Sequence, residues 1–110
     1  MGYIERLRRL AILGAGRAPD DGALPCPSIV ELDARSVEIA RLGALIAVGG
    51  AMPSYGAQVD AALGAGVTTS EIVDVIVAVA EIIGTPSVVD GAAKVALALG
   101  HDVFDASPDA

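Results

Sequence analysis

The chain has 110 residues, which at about 100–200 residues per domain makes one domain, and 54% of them are apolar before 13 glycines are counted. Ordinary soluble domains hold about 45–50% apolar residues with glycine included, so this excess excludes intrinsic disorder and points the surplus surface toward a subunit interface. A net charge of −7 leaves no basic footprint for nucleic acid.

Tyr3–Leu13 predicts an amphipathic helix with Ile4, Leu7, Leu10 and Ala11 on one face and Glu5, Arg6, Arg8 and Arg9 on the rest. The arginines ahead of Leu10–Gly16 imitate a secretory leader only faintly, because the apolar stretch is minimal and runs into Arg17. A cytoplasmic location is therefore expected. Gly14–Glu31, with Pro19, Pro25 and Pro27, reads as a long connector. It holds the single cysteine, Cys26, which rules out a disulfide framework. Cys26 and the single His101 also rule out a Cys/His metal cage, so no metal and no cofactor is expected.

A second helix is expected from an Asp33 cap to about Gly49. It carries Glu38 and Arg41 three residues apart on one side, and its charge-free stretch from Leu42 to Met52 is expected to be buried all round. The longest charge-free run, Leu42–Val59, contains Pro53 and a Gly49-Gly50 pair, so a membrane span is not expected. Pro53 suits the first position of a third helix, Ser54 to about Leu63. Thr68 and Glu71 fit a capping box opening a fourth helix, Thr69–Ile83. Thr85-Pro86 reads as the cap and first residue of a fifth, with Asp90 and Lys94 an i, i+4 pair and Gly100 its stop. The expected fold class is all-α, with about five helices in one domain. Residues 1–31 form the helix and connector, 32–100 the helical core and 101–110 the tail.

Few polar groups stand in the apolar middle. Positions 51, 54 and 58 share a helix stripe, so an antiparallel second and third helix would set Glu38 opposite Ser54 and Gln58. Such an apolar pocket needs only a few polar groups to orient a small ligand. Burial among apolar neighbours would favour the neutral acid at Glu38, whereas Arg41 would favour the carboxylate. A close Glu38–Arg41 pair therefore marks a structural role, and a carboxyl facing a cavity marks proton exchange. Gln58 is also read as a helix-to-helix hydrogen bonder, Ser54 as a first-turn residue and Tyr55 as an interface aromatic.

Leu32–Ile39, Gln58–Thr68, Ser70-Glu71-Ile72 and Gly84-Thr85-Pro86 together resemble the carboxymuconolactone decarboxylase and alkylhydroperoxidase D-like superfamily over residues 32–100. The resemblance implies a helical bundle assembling as a homotrimer or homohexamer, with a pocket near subunit interfaces. The redox branch's Cys-x-x-Cys and His positions fall on Ala51, Ser54 and Gln58, and its glutamate on Glu38. The decarboxylase branch's arginine and histidine fall on Val37 and Gln58. Without a thiolate pair there is no peroxidatic attack. The resemblance leaves Glu38 as the acid/base group acting on a small cyclic or carbonyl-containing acid, with Gln58, Arg41, Ser54 and Tyr55 as ligand-binding residues. A non-catalytic ligand-binding or structural oligomer of the same fold is the alternative.

Overall fold

A computed structural model describes residues 2–13 and 31–101. The connector at 14–30, with Cys26, and the tail from residue 102 lie outside the described residues. Residues 1–31 and 32–110 form two separate units.

The first unit contains α1, Tyr3–Arg8, whose i→i+4 ladder widens to a π-helix over Arg9–Leu13. The expected single helix thus changes pitch halfway. Glu5 reaches forward to Arg8 and Arg9 at 3.6 and 3.4 Å, and Tyr3, Ile4, Leu7 and Leu10 stay exposed.

The second unit is a four-helix core of α2 (Ala34–Val48), α3 (Met52–Gly64), α4 (Thr69–Ile83) and α5 (Thr85–Ala98). No strand occurs among the described residues, so the fold is all-α. Local signals fix most boundaries. The Asp33 carboxylate accepts from the Ser36 amide at 2.7 Å, which holds its pKa below the ordinary carboxylate value and caps α2. At α4 the capping box is complete: the Glu71 amide donates to Thr68 Oγ1 at 3.1 Å, and the Thr68 amide to Glu71 Oε1 at 2.9 Å. After α5 the His101 amide reaches the Ala96 carbonyl at 2.8 Å while Gly100 takes φ +91°. This is the left-handed C-terminal stop that glycine permits.

Three expectations change. The third helix begins at Met52 rather than Ser54, with Ala51 extended ahead of it and Pro53 in its first turn, where a missing N–H matters little. Thr85 is helical rather than a cap. Gly84, at φ +83°, both ends α4 and precedes α5, so a single residue makes the corner. The apolar end of α2 is not buried all round. Leu42, Gly43 and Ile46 are buried, but Ala44 and Ala47 are exposed and Val48 is 82% exposed, because the other three core helices cover only one side of this helix.

The core centres on Tyr55, Leu42, Ile46, Ile72, Val59 and Val95, all buried, and each aliphatic side chain contributes about 1.5–3 kcal/mol. Tyr55 corrects a further expectation. It is fully enclosed within one protomer and so is a core residue, not an interface aromatic. Its hydroxyl has no hydrogen-bond partner among the described residues. Burial raises the Tyr55 pKa above its ordinary value of 10.0, the Asp90 carboxylate adds to the rise and Lys94 opposes it.

Two outcomes follow for Tyr55. Replacement by Phe removes a desolvated, unpartnered hydroxyl, and denaturant unfolding should show stability unchanged or higher by about 1 kcal/mol. Because the folded-state pKa is raised, the native tyrosine's contribution is full below pH 10 and is lost as pH rises through the folded-state value. The advantage of Tyr55→Phe should therefore widen above pH 10.

Candidate functional site

The three-residue connection Gly49–Ala51 folds α3 back along α2, so Glu38 near the start of α2 meets Gln58 midway along α3. Gln58 Nε2 donates to Glu38 Oε2 at 2.6 Å, and Arg41 Nη1 donates to Glu38 Oε1 at 2.9 Å. The carboxylate is 13% exposed while the arginine is 64% exposed. One half-buried anion thus carries a neutral donor on one oxygen and a solvent-facing cation on the other.

This arrangement brings together Glu38, Gln58 and Arg41 but not the remaining sequence candidates. Ser54 is exposed and takes no part in the Glu38 hydrogen bonds. Tyr55 points the other way, into the core, with its hydroxyl near Gly91. The expected proximity of Glu38 and Gln58 across antiparallel helices is present. So is the close Glu38–Arg41 pair, the arrangement expected of a structural role.

Lys94 was absent from the sequence candidates. From α5 it donates to the Gly50 carbonyl at 2.8 Å, pairs with Asp90 at 3.1 Å and stands 5.8 Å over the Tyr55 ring. It ties the α2–α3 connection to α5 and so fixes where α3 begins. The Asp90–Lys94 spacing signalled the ion pair; nothing local signalled the contact to Gly50, 44 residues away.

The best-formed concavity among the described residues lies elsewhere. It is an open groove of about 510 Å³ between α2 and α4, floored by Gly43, Val75 and Val79, with Ala40, Ala44 and Ala78 on its walls. Glu71 and Asp74 stand at one end, and Glu71 also pairs with Arg35. Neither Glu38 nor Gln58 lines it. No group of three or more His, Cys, Asp or Glu side chains among the described residues could hold a metal ion. No described helix is long and apolar enough to cross a membrane.

The described residues thus form an all-α bundle in which a glutamate of α2 meets a polar residue of α3. The family model described as "Carboxymuconolactone decarboxylase family" matches residues 29–98, and the chain belongs to that family. Comparison with curated proteins and with solved structures gives no match.

The Glu38–Gln58 hydrogen bond joins two helices through a half-buried charge. Gln58→Ala should lower the unfolding free energy by about 1–2 kcal/mol in urea titration, the range for a hydrogen bond to a charged group that retains some solvent.

Proposed function

We propose that this family member works without thiol redox chemistry, on a small cyclic or carbonyl-containing acid, with Glu38 as its acid/base group. Gln58 orients the ligand and Arg41 receives its carboxylate. The supporting observation is a 13%-exposed carboxylate whose cationic partner is itself 64% exposed. A guanidinium has five N–H donors and matches a carboxylate bidentately, so an arriving acid competes with Glu38 for Arg41. Once Arg41 turns outward, Oε1 has lost its hydrogen-bond donor and is open to accept a proton. The Gln58 amide still holds Oε2, so the freed Oε1 stays aimed while it takes a proton from the carbon beside the carbonyl, the C–H pair passing into the enolate. Ser54 lies on the same α3 stripe and would meet only the outer part of a ligand. Tyr55 supports the site from the core and does not touch the ligand.

A second reading has its own observation. Both Glu38 oxygens are already engaged at 2.6 and 2.9 Å with no ligand, as in a helix-to-helix brace. On that reading the chain is a non-catalytic ligand-binding or structural oligomer. Both readings include self-association, as a homotrimer or homohexamer by family resemblance, and a cytoplasmic location is in keeping with a chain built on one cysteine.

Turnover assays on lactone and oxo acids, with Glu38→Gln and Gln58→Ala beside the native chain, separate the readings. On the first, Glu38→Gln lowers kcat by about 10²–10⁴-fold with helix content and mass unchanged, whereas Gln58→Ala chiefly raises KM. Full turnover in Glu38→Gln removes Glu38 from the chemistry, and no turnover of any such acid favours the second reading.

Ala51 and Ser54 stand where a redox pair would. Peroxide consumption with a dithiol reductant should match the enzyme-free rate. Consumption that Cys26→Ser abolishes would overturn this expectation.

A further inference from the structure

The α2–α4 groove and the N-terminal helix are complementary in both apolarity and charge. Contacts advance together along α2 and α4, from Arg35 with Glu71 to Gly43 with Val75 and Val79, so the two helices run parallel. The groove between them is acidic at its start, where Glu71 and Asp74 stand. Beyond its lining, towards the C-terminal ends of α2 and α4, Val48 is 82% and Ile82 87% exposed. The groove's midpoint is shallow because Gly43 has no side chain; a Cβ there would sit 3.4 Å from Val79. Asp74 makes no ion pair among the described residues, and Glu71 is paired with Arg35.

The cations are on the other unit. Residues 2–13 hold three arginines against one glutamate, and Arg6 makes no ion pair among the described residues. Their apolar face is open as well, with Ile4 58% and Leu7 60% exposed. Ile4, Leu7 and Leu10 have the i, i+3 spacing with which an amphipathic helix lies in a groove.

We propose that the α2–α4 groove is the docking site for a second copy of this chain, which inserts its N-terminal helix with the arginines toward Glu71 and Asp74. Eleven helical residues span about 16 Å, against about 22 Å for α2 or α4. The inserted helix covers the acidic part of the groove and leaves Val48 and Ile82 for the body of the same second copy. The contact is therefore heterologous, one patch meeting a different patch, the kind that closes into a ring when its rotation permits. This inference rests on the self-association described above.

The test uses the full-length chain. Light scattering and sedimentation should show that Asp74→Arg and Arg6→Glu each raise the dissociation constant at least tenfold. The two substitutions together should restore it, and circular dichroism should report native helix content throughout. In a Cys26→Ser background, differently tagged Leu7→Cys and Ala78→Cys chains, co-expressed and oxidised, should give a mixed disulfide between chains. A native chain that is monomeric at micromolar concentration overturns self-association itself. An oligomer whose mass ignores both charge reversals, or that forms no mixed disulfide, leaves self-association standing and overturns this docking. An intrachain disulfide in the Leu7→Cys/Ala78→Cys double variant also overturns it.

Discussion

The absence of a side chain at Gly91 is the constraint on which the core is built. A Cβ there would lie 2.9 Å from Ile46 Cγ2 and 3.5 Å from the Tyr55 hydroxyl, closer to Ile46 than packed carbon atoms approach. Because Gly91 has none, α5 settles against Ile46 of α2 and Tyr55 of α3 together, so one bare backbone position seats three helices. Lys94, one turn further on, then reaches the Gly50 carbonyl and closes the α2–α3 connection from outside. The register of α3 against α2 follows from these two contacts, and with it the meeting of Gln58 and Glu38.

That meeting gives the site its character. The resemblance puts the redox branch's two thiols and imidazole at positions 51, 54 and 58, where Ala51 stands just ahead of α3 and Ser54 and Gln58 lie on it. Gln58 can donate and accept hydrogen bonds but cannot carry a proton, so on the proposed reading the proton is exchanged at Glu38. The two oxygens of Glu38 are not equivalent. Oε2 is held by an amide on the inner side, which no ligand easily displaces. Oε1 is held by an exposed arginine, which a second anion can recruit. On the proposed reading an anionic ligand draws Arg41 from Oε1 while the Gln58 hydrogen bond to Oε2 stays in place.

The parts of this structure that were legible in the sequence are those fixed within one turn. Asp33, Thr68 with Glu71, and Gly100 announce helix ends because their hydrogen bonds close over three to five residues. The Glu38–Gln58 contact was legible only on the condition that α2 and α3 run antiparallel. Tyr55 was misread as an interface residue because the period of α3 shows which side is apolar, not what covers it. Lys94 on Gly50 and the closeness of α5 at Gly91 carry no local pattern: they are long-range packing outcomes, set by which helices meet. The charge-free end of α2 failed for the complementary reason. Composition says that apolar surface wants cover, and the four-helix core supplies cover on only part of the helix.

Glu71 shows how assembly and site are joined through one helix. Its Oε1 completes the cap of α4, and its other oxygen pairs with Arg35 at the start of α2. The N-termini of both groove helices are therefore held by a single side chain. Along α2, Glu38 faces α3 while Ala40, Gly43 and Ala44 face the groove, so the helix that carries the carboxylate is also the groove's wall. Pressure on the groove is borne by α2, which cannot yield toward α5 because Ile46 already lies on Gly91. On the proposed docking, a body seated on the α2–α4 face bears on the helix that carries Glu38, so cover of that face and the seating of Glu38 against Gln58 share one helix.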